Sequence, residues 1–356
     1  MRVLLLAQAG PTTGGVVSHV GDLAVELIAR GHDVAVVCSC HGVLEEKARS
    51  GGATIVIHQA VAGGYSPQEM QSLIRWCNHW KPDVLHAHLP SAGIAAWYVA
   101  RSLAVPLIYT QHMFISDDIV TRLLAVDDLD STVITVAPYS EKQLRQAHPQ
   151  LTITTIPNGV HPVLLNNAPS TPDRSHQPHL IYVGRLSPEK GPDVLLTALA
   201  SIHSQIPAFH LDIVGTGPYE QHIRLIAEEL FDDSSITFHG SVKNPYELIQ
   251  QADLGIVPSL QDAASLTVLE MMSAGLPIIA TRVGGTPALL GEGGNPYLVE
   301  PGNVHDLAQA ILRCLHQCSH SELEAYGHYL KTRHRQAFTV DDMIQRTIEL
   351  YEDVRR

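Results

Sequence analysis

The chain has 356 residues, a length that suits two domains better than one core. With 45% hydrophobic and 17% charged residues it has a soluble globular composition, and its net charge of −13 argues against nucleic-acid partners and an anionic-membrane anchor. The apolar run that opens it is too short for a signal h-region or a membrane span, and five cysteines without framework spacing point to reduced thiols in a cytoplasm.

Strand and helix patterns alternate from the start. Val3–Leu6 is an all-apolar strand, as expected where both faces are covered. A Gly/Pro/Thr loop, Gly10–Gly15, leads into a helix over Val16–Ala29 that stops at Arg30-Gly31. Strands over Asp33–Cys38, Ala53–Ile57, Val84–Ala87 and Leu107–Thr110 follow, with helices over Pro67–Trp80 and Ala92–Ser102 between them. Ser140 and Glu141 read as an N-cap pair. Ile153–Pro157 and the Asn158-Gly159 turn close this half, and His161–Pro178, rich in Pro, Asn and Ser, reads as a linker.

The rhythm then restarts. Strands are expected over Leu180–Val183, His210–Val214, Thr237–His239, Gly255–Val257 and Ile278–Thr281. Helices are expected over Pro192–Ser204, Tyr219–Glu229, Tyr246–Gln251 and Ser265–Ala274. The fold class is therefore α/β, with two Rossmann-like doubly wound domains in tandem, divided as 1–165 and 166–340. The last helix, Asp341–Val354, is amphipathic, needs a surface to pack on, and by analogy returns to the first domain.

Ligands of such sheets bind beyond the strand C-termini, so four loops carry the chemistry. Gly14 and Gly15 end a strand-to-helix turn whose N–H groups can approach an anion; the loop is neither G-x-G-x-x-G nor a Walker loop. In VGRLSPEKG, Arg185 and Lys190 pair a fork donor with a point charge, a combination that suits a diphosphate. VGTGP, with Gly215, is a further strand-end turn that either contacts a base or starts a helix. In Pro258–Gly285, the acids Asp262 and Glu270 bracket a polar loop and a helix start. A helix N-terminus there can hold a phosphate, and Glu270, among apolar neighbours, can accept from vicinal hydroxyls.

These pieces together resemble the retaining glycosyltransferases of family 4, which have the GT-B fold. The resemblance rests on GGVVSHV, PDVLHAH, YTQHMF, IPNGV, VGRLSPEKG, VGTGP, FHGSV, ADLGIVPS and VLEMMSAGLPIIATRVGG, in order along nearly the whole chain. It implies an interdomain cleft that closes on a nucleoside-diphosphate sugar donor and a hydroxyl acceptor, an acceptor-side first domain and a donor-binding second domain. It assigns Arg185 and Lys190 to the diphosphate, Glu270 to the ribose, and the Leu266 and Thr267 N–H groups, after Ser265, to phosphate. Gly14 and Gly15 lie near phosphate and sugar, the Gly240–Val242 turn borders the base, and His112 faces the transferred sugar. No cofactor and no metal is implied, since these groups can stabilise the leaving diphosphate alone.

One stretch departs from the family. Glu-Gly-Phe-Gly is usual where this chain has Asp262-Ala263-Ala264-Ser265, which points to an altered loop path at the sugar end and an unusual donor sugar or a weakened enzyme. The alternatives are a sugar-nucleotide 2-epimerase and a non-catalytic nucleotide-sugar-binding relative. Asp117-Asp118 and Asp127–Asp130 read as solvated or acceptor-side acids, Cys38-x-Cys40-His41 lacks the second half of a metal site, Trp76, Trp80 and Trp97 read as packing, and His334 and Arg335 as solvated. Donor base, sugar, acceptor and any homo-oligomer are not encoded in a readable pattern.

Overall fold

A computed structural model describes residues 1–8, 14–112, 118–162, 177–206, 208–232, 234–242, 244–291 and 295–355. Residues 10–13 of the first glycine loop, 113–117 (Asp117 included) and 163–176 of the linker therefore lie outside the described residues. The chain divides into two compact units, Met1–Gly159 with Val340–Arg356, and Val160–Thr339. The division thus falls six residues before the 165/166 boundary read from sequence, where Val160 pairs with Thr339 inside the second unit.

The first unit has strands β1 (Arg2–Ala7), β2 (Asp33–Cys38), β3 (Thr54–Ile57), β4 (Val84–His88), β5 (Leu107–Gln111), β6 (Ser131–Thr135) and β7 (Ile153–Thr155). They form a parallel sheet in the order β3-β2-β1-β4-β5-β6-β7. Its helices are α1 (Gly15–Ala29), α2 (Val43–Ser50), α3 (Pro67–Trp80), α4 (Pro90–Leu103), α5 (Ile119–Val126) and α6 (Pro138–Ala147). The second unit has β8 (His179–Val183), β9 (His210–Val214), β10 (Ile236–Gly240), β11 (Leu254–Val257), β12 (Ile278–Thr281) and β13 (Leu298–Val299), ordered β10-β9-β8-β11-β12-β13. Its helices are α7 (Pro192–Ile202), α8 (Glu220–Leu230), α9 (Tyr246–Gln251), α10 (Leu266–Ala274), α11 (Thr286–Leu290), α12 (Val304–His316) and α13 (His320–Ala337). A last helix, α14 (Val340–Asp353), belongs to the first unit.

The central strands of both sheets are covered on both faces, which is why strands such as β1, β11 and β12 are short apolar runs. In β1, Val3 and Leu5 point to one core with Leu23 of α1, while Leu4 and Leu6 point to the other with Val99 of α4, as a period of two requires. Met343, Ile344, Ile348 and Tyr351 of α14 complete the first of these cores. In the second unit, Leu180 and Tyr182 of β8 meet α7 and α12, and Ile181 meets Val268 and Leu269 of α10.

Four sequence readings need correction. Asp118 is not a solvated acid: it is the N-cap of α5, in a capping box with Thr121 and accepting from the Tyr109 hydroxyl at 2.7 Å. Asp127 is not solvated: it accepts from Trp97 Nε1 at 2.6 Å and pairs with Arg101. Ser140 is buried within α6, whose N-cap is Ala137 with Pro138 as its first residue, because Pro supplies the preset φ there. His334 is fully buried in α13. All five cysteines are free, and burial pushes the Cys38 thiol up to about 11, which opposes a thiolate metal ligand. Among the described residues no helix is long and apolar enough to cross a membrane.

Candidate active site

In the second unit the strand order reverses between β8 and β11, so the loops leaving these two strands lie side by side. The β8 loop, Gly184–Gly191, ends in a short turn whose last residue, Gly191, has φ 64°. A Cβ on Gly191 would come within 2.3 Å of the Pro258 carbonyl oxygen, so the two loops touch through backbone. The Leu260 and Gln261 N–H groups donate to the Glu189 carbonyl at 2.8 and 3.1 Å.

This backbone lacing brings Lys190 to Asp262. Lys190 Nζ donates to Asp262 Oδ2 at 2.6 Å, and the Asp262 side chain is only 11% exposed. An ammonium has three donors, so two remain for another anion. Arg185 is exposed, with no side-chain hydrogen bond or ion pair among the described residues. Its backbone is fixed instead: its carbonyl accepts from the Tyr182 hydroxyl and the Ser187 N–H, both at 3.0 Å.

The β11 loop then feeds α10. Ser265 is the N-cap, and its hydroxyl accepts from the Val268 N–H at 3.4 Å. That side chain is committed to the cap, so what Ser265 contributes is the position of the helix start. Leu266 and Thr267 are the first two helical residues, whose N–H groups have no intrahelical acceptor. Glu270 sits half-buried in the second turn.

The altered segment Asp262–Ser265 is fastened from below. Thr281 Oγ1 donates to the Ser259 carbonyl, and the Gly285 N–H donates to the Ala263 carbonyl at 2.7 Å. Gly284 has φ 50°, and a Cβ there would lie 1.8 Å from the Asp262 carbonyl oxygen. Ala263 and Ala264 are not among the residues with positive φ. The conformational freedom of glycine is thus used at Gly284 rather than inside the loop.

At the ends of β8 and β9, the Gly184 N–H donates to Val214 O at 2.9 Å and the Gly215 N–H to Gly240 O at 2.8 Å. Gly215 has φ 134°, and a Cβ on it would lie 1.9 Å from Gly184 O, so its glycine is demanded by the neighbouring loop. Val242 is half-buried and packs on the apolar face that includes Ile249.

The first unit reverses its strand order between β1 and β4. Gly14, the N-cap of α1, is extended, and a Cβ on it would meet nothing within 4 Å among the described residues; Gly15 opens the helix. In this unit, histidines from α1 and from the ends of β4 and β5 converge. His88 Nδ1 is 3.0 Å from His112 Nε2, and His19 of α1 packs edge-on against His112 with centroids 4.7 Å apart. His86 is hydrogen-bonded to Tyr351 of α14 and to Thr110, both at 2.6 Å. Gln111, the last residue of β5, is fully buried and has no hydrogen-bond partner for either amide atom among the described residues. The strand-end residues of β4 and β5 were readable, but their convergence with α1 was not.

Burial holds these rings neutral. It brings His19 down to about 4 and places His86, His88 and His112 well below the usual imidazole value. A base with a depressed folded pKa binds fewer protons folded than unfolded, so its stabilisation is complete above about pH 6.5 and is lost as pH falls toward the folded value. His19 alone then costs about 1.4 kcal/mol per pH unit below about pH 6.5, and His86 and His88 add to it. The urea midpoint is expected to drop steeply between about pH 6.5 and 5; a flat profile would rule out neutral buried rings.

Two family models match the chain: "Glycosyltransferase Family 4" over residues 13–164 and "Glycosyl transferases group 1" over residues 177–317. The chain is 25% identical over 353 residues to glycogen synthase of Mycobacterium tuberculosis, covering 87% of this chain and 85% of that protein. Among solved structures it is similar to a glycosyltransferase from Rickettsia africae, with a TM-score of 0.85 at 17% identity over 99% of this chain and 98% of that one. It is also similar to Anabaena HepE in complex with UDP and glucose, with a TM-score of 0.84 at 21% identity over 99% of each chain.

Proposed function

Because the chain belongs to the glycosyltransferases of family 4 and has the GT-B fold, we propose that it moves a sugar from a nucleoside-diphosphate sugar to an acceptor hydroxyl, with retention at the anomeric carbon and without a metal at the leaving group. One observation carries this reading: the β8–β11 reversal gathers Arg185, the Lys190–Asp262 pair, the start of α10 and Glu270 onto adjoining loops.

In this reading the bond from the anomeric carbon to the diphosphate breaks and negative charge builds on the leaving oxygen. The Arg185 fork, the Lys190 ammonium and the Leu266 and Thr267 N–H groups stabilise that charge. Asp262 holds Lys190 on the sugar side of the diphosphate. Glu270 accepts from the two ribose hydroxyls, and the Gly215 and Val242 turns border the base. The acceptor attacks from the face the leaving group departs, and a phosphate oxygen takes its proton. His112, kept neutral by burial, positions a sugar hydroxyl rather than removing a proton. Gly14 and Gly15 leave room for phosphate and sugar. The changed side chains of Ala263 and Ala264 set the choice of donor sugar.

A thermal-shift panel of UDP, GDP, ADP, CDP and dTDP tests the donor site, since a ligand that binds only the folded state raises its stability. One diphosphate is expected to stand out; UDP is tried first because the Anabaena neighbour holds it. No shift with any of the five overturns the reading. With a donor in hand, NMR of the product is expected to show the donor's anomeric configuration. EDTA, added at a temperature where the fold is intact, is expected to leave the initial rate unchanged.

A further inference from the structure

Away from the donor loops, one face of the second unit's sheet carries three histidines around one aspartate. His179 and His210 are the first residues of β8 and β9 and are register partners. Asp212 lies two residues further along β9, hence on the same face. His239 is the extra residue at a register shift between Phe238 and Gly240 in β10, and such a bulge re-aims a side chain. His179 Nε2 lies 2.7 Å from Asp212 Oδ2, and His239 Nε2 and His210 Nε2 lie 2.7 and 3.3 Å from Asp212 Oδ1. The carboxylate is 4% exposed and each imidazole is partly buried, at 20 to 31%.

The far side of the rings decides what this group is for. His179 Nδ1 is 3.1 Å from the Gln251 carbonyl oxygen, and His210 Nδ1 is 3.3 Å from that of Ser234. A carbonyl only accepts, so both Nδ1 atoms carry protons. In neutral rings the Nε2 atoms then present lone pairs to a carboxylate, which is repulsive, so the group needs positive charge, carried either by the rings themselves or by a bound cation. A metal ion supplies it while leaving the Nε2 lone pairs in use. Nδ1–H held by a backbone carbonyl with Nε2 aimed inward is the arrangement that orients metal-binding histidines.

We infer that His179, His210, Asp212 and His239 form a structural binding site for a divalent transition ion, with zinc as the fitting member. Three nitrogens and one carboxylate oxygen make a closed tetrahedral set, and ligands at about 2.0–2.1 Å from zinc stand about 3.3 Å apart. The ligand atoms of His179, His210 and Asp212 already lie within 4.8 Å of one another. The ion clips the edge strand β10 to β9 and β8, whose C-terminal ends lead into the Gly184, Gly215 and Gly240 turns. It has no part in the chemistry at the leaving group, and the donor-site reading does not depend on it.

The test is titration of chelator-treated protein with zinc and with cobalt(II). One equivalent is expected to bind, with the intense visible absorption of tetrahedral cobalt and no thiolate charge-transfer band. Zinc at about 100-fold over its Kd is expected to raise the melting temperature by about 5–10 °C. His210→Gln and His239→Gln are each expected to weaken binding at least 10-fold, and His19→Gln to leave it unchanged. Absence of saturable binding, a thiolate band, or binding that survives both substitutions or is lost in His19→Gln overturns the proposal.

Discussion

Replacing Lys190 with alanine is expected to lower kcat/KM by roughly 100- to 1,000-fold, the usual cost of removing one fixed donor aimed at developing charge. The loss is expected mainly in kcat, because the ammonium gains most as the diphosphate departs. Part of the effect comes from Asp262. Its carboxylate lies 2.6 Å from Lys190 Nζ and is nearly buried, so removing the lysine leaves a bare negative charge beside the leaving group. A double-mutant cycle separates the two roles. If Asp262 acts by holding Lys190, then Asp262→Asn lowers activity in the wild-type background and costs nothing further, or restores some activity, in Lys190→Ala. A Lys190→Ala enzyme within threefold of wild type removes the lysine from the mechanism.

Glu270→Ala is expected to weaken nucleoside-diphosphate binding by roughly 100-fold. A hydrogen bond to a charged group contributes about 1.5–3 kcal/mol, and each 1.4 kcal/mol is tenfold in affinity, so losing one or two ribose contacts gives a factor of this order. Isothermal titration checks it with two probes. The diphosphate of the preferred nucleoside loses affinity, whereas pyrophosphate, which has no ribose, binds as before. Glu270→Gln, which keeps one acceptor oxygen and the side-chain shape, falls between. Equal losses for both probes would mean that the substitution damages α10 as a whole rather than one contact.

The strand and helix rhythm was legible because buried parallel strands are short apolar runs and their helices carry caps and breakers. The helix read over Ser265–Ala274 is α10, with Ser265 as its N-cap rather than its first residue, and the reversal of strand order explains why the Arg185 and Asp262 loops adjoin. What the sequence hid are contacts made across many residues. Lys190 and Asp262 pair because Gly191, Pro258 and Glu189 dock two loops, and no spacing encodes that. His19, His88 and His112 come from three elements, and the bulge that turns His239 toward Asp212 leaves no mark in its local pattern. Asp118 was misread for a nearer reason: its acidic neighbours suggested a solvated run, while Thr121, three residues on, completes a capping box. The glycines and phenylalanine missing from 263–265 suggested a rerouted loop, yet the torsional demand sits at Gly284, about twenty residues further along the chain.

The return of α14 to the first unit sets an order of events during synthesis. Tyr351, whose hydroxyl meets His86, and Ile344 and Ile348, which close the core over Val3 and Leu5, follow the whole of Val160–Thr339 in the chain. At ribosomal rates of about 5–20 residues per second, roughly 10–40 s separate the end of the first sheet from the helix that covers it. Through that interval, while the second unit is being made, the nascent first unit presents an open apolar face. The second unit has all its own parts in hand by Thr339, and the half that carries His112, begun first, is closed only by the helix that follows.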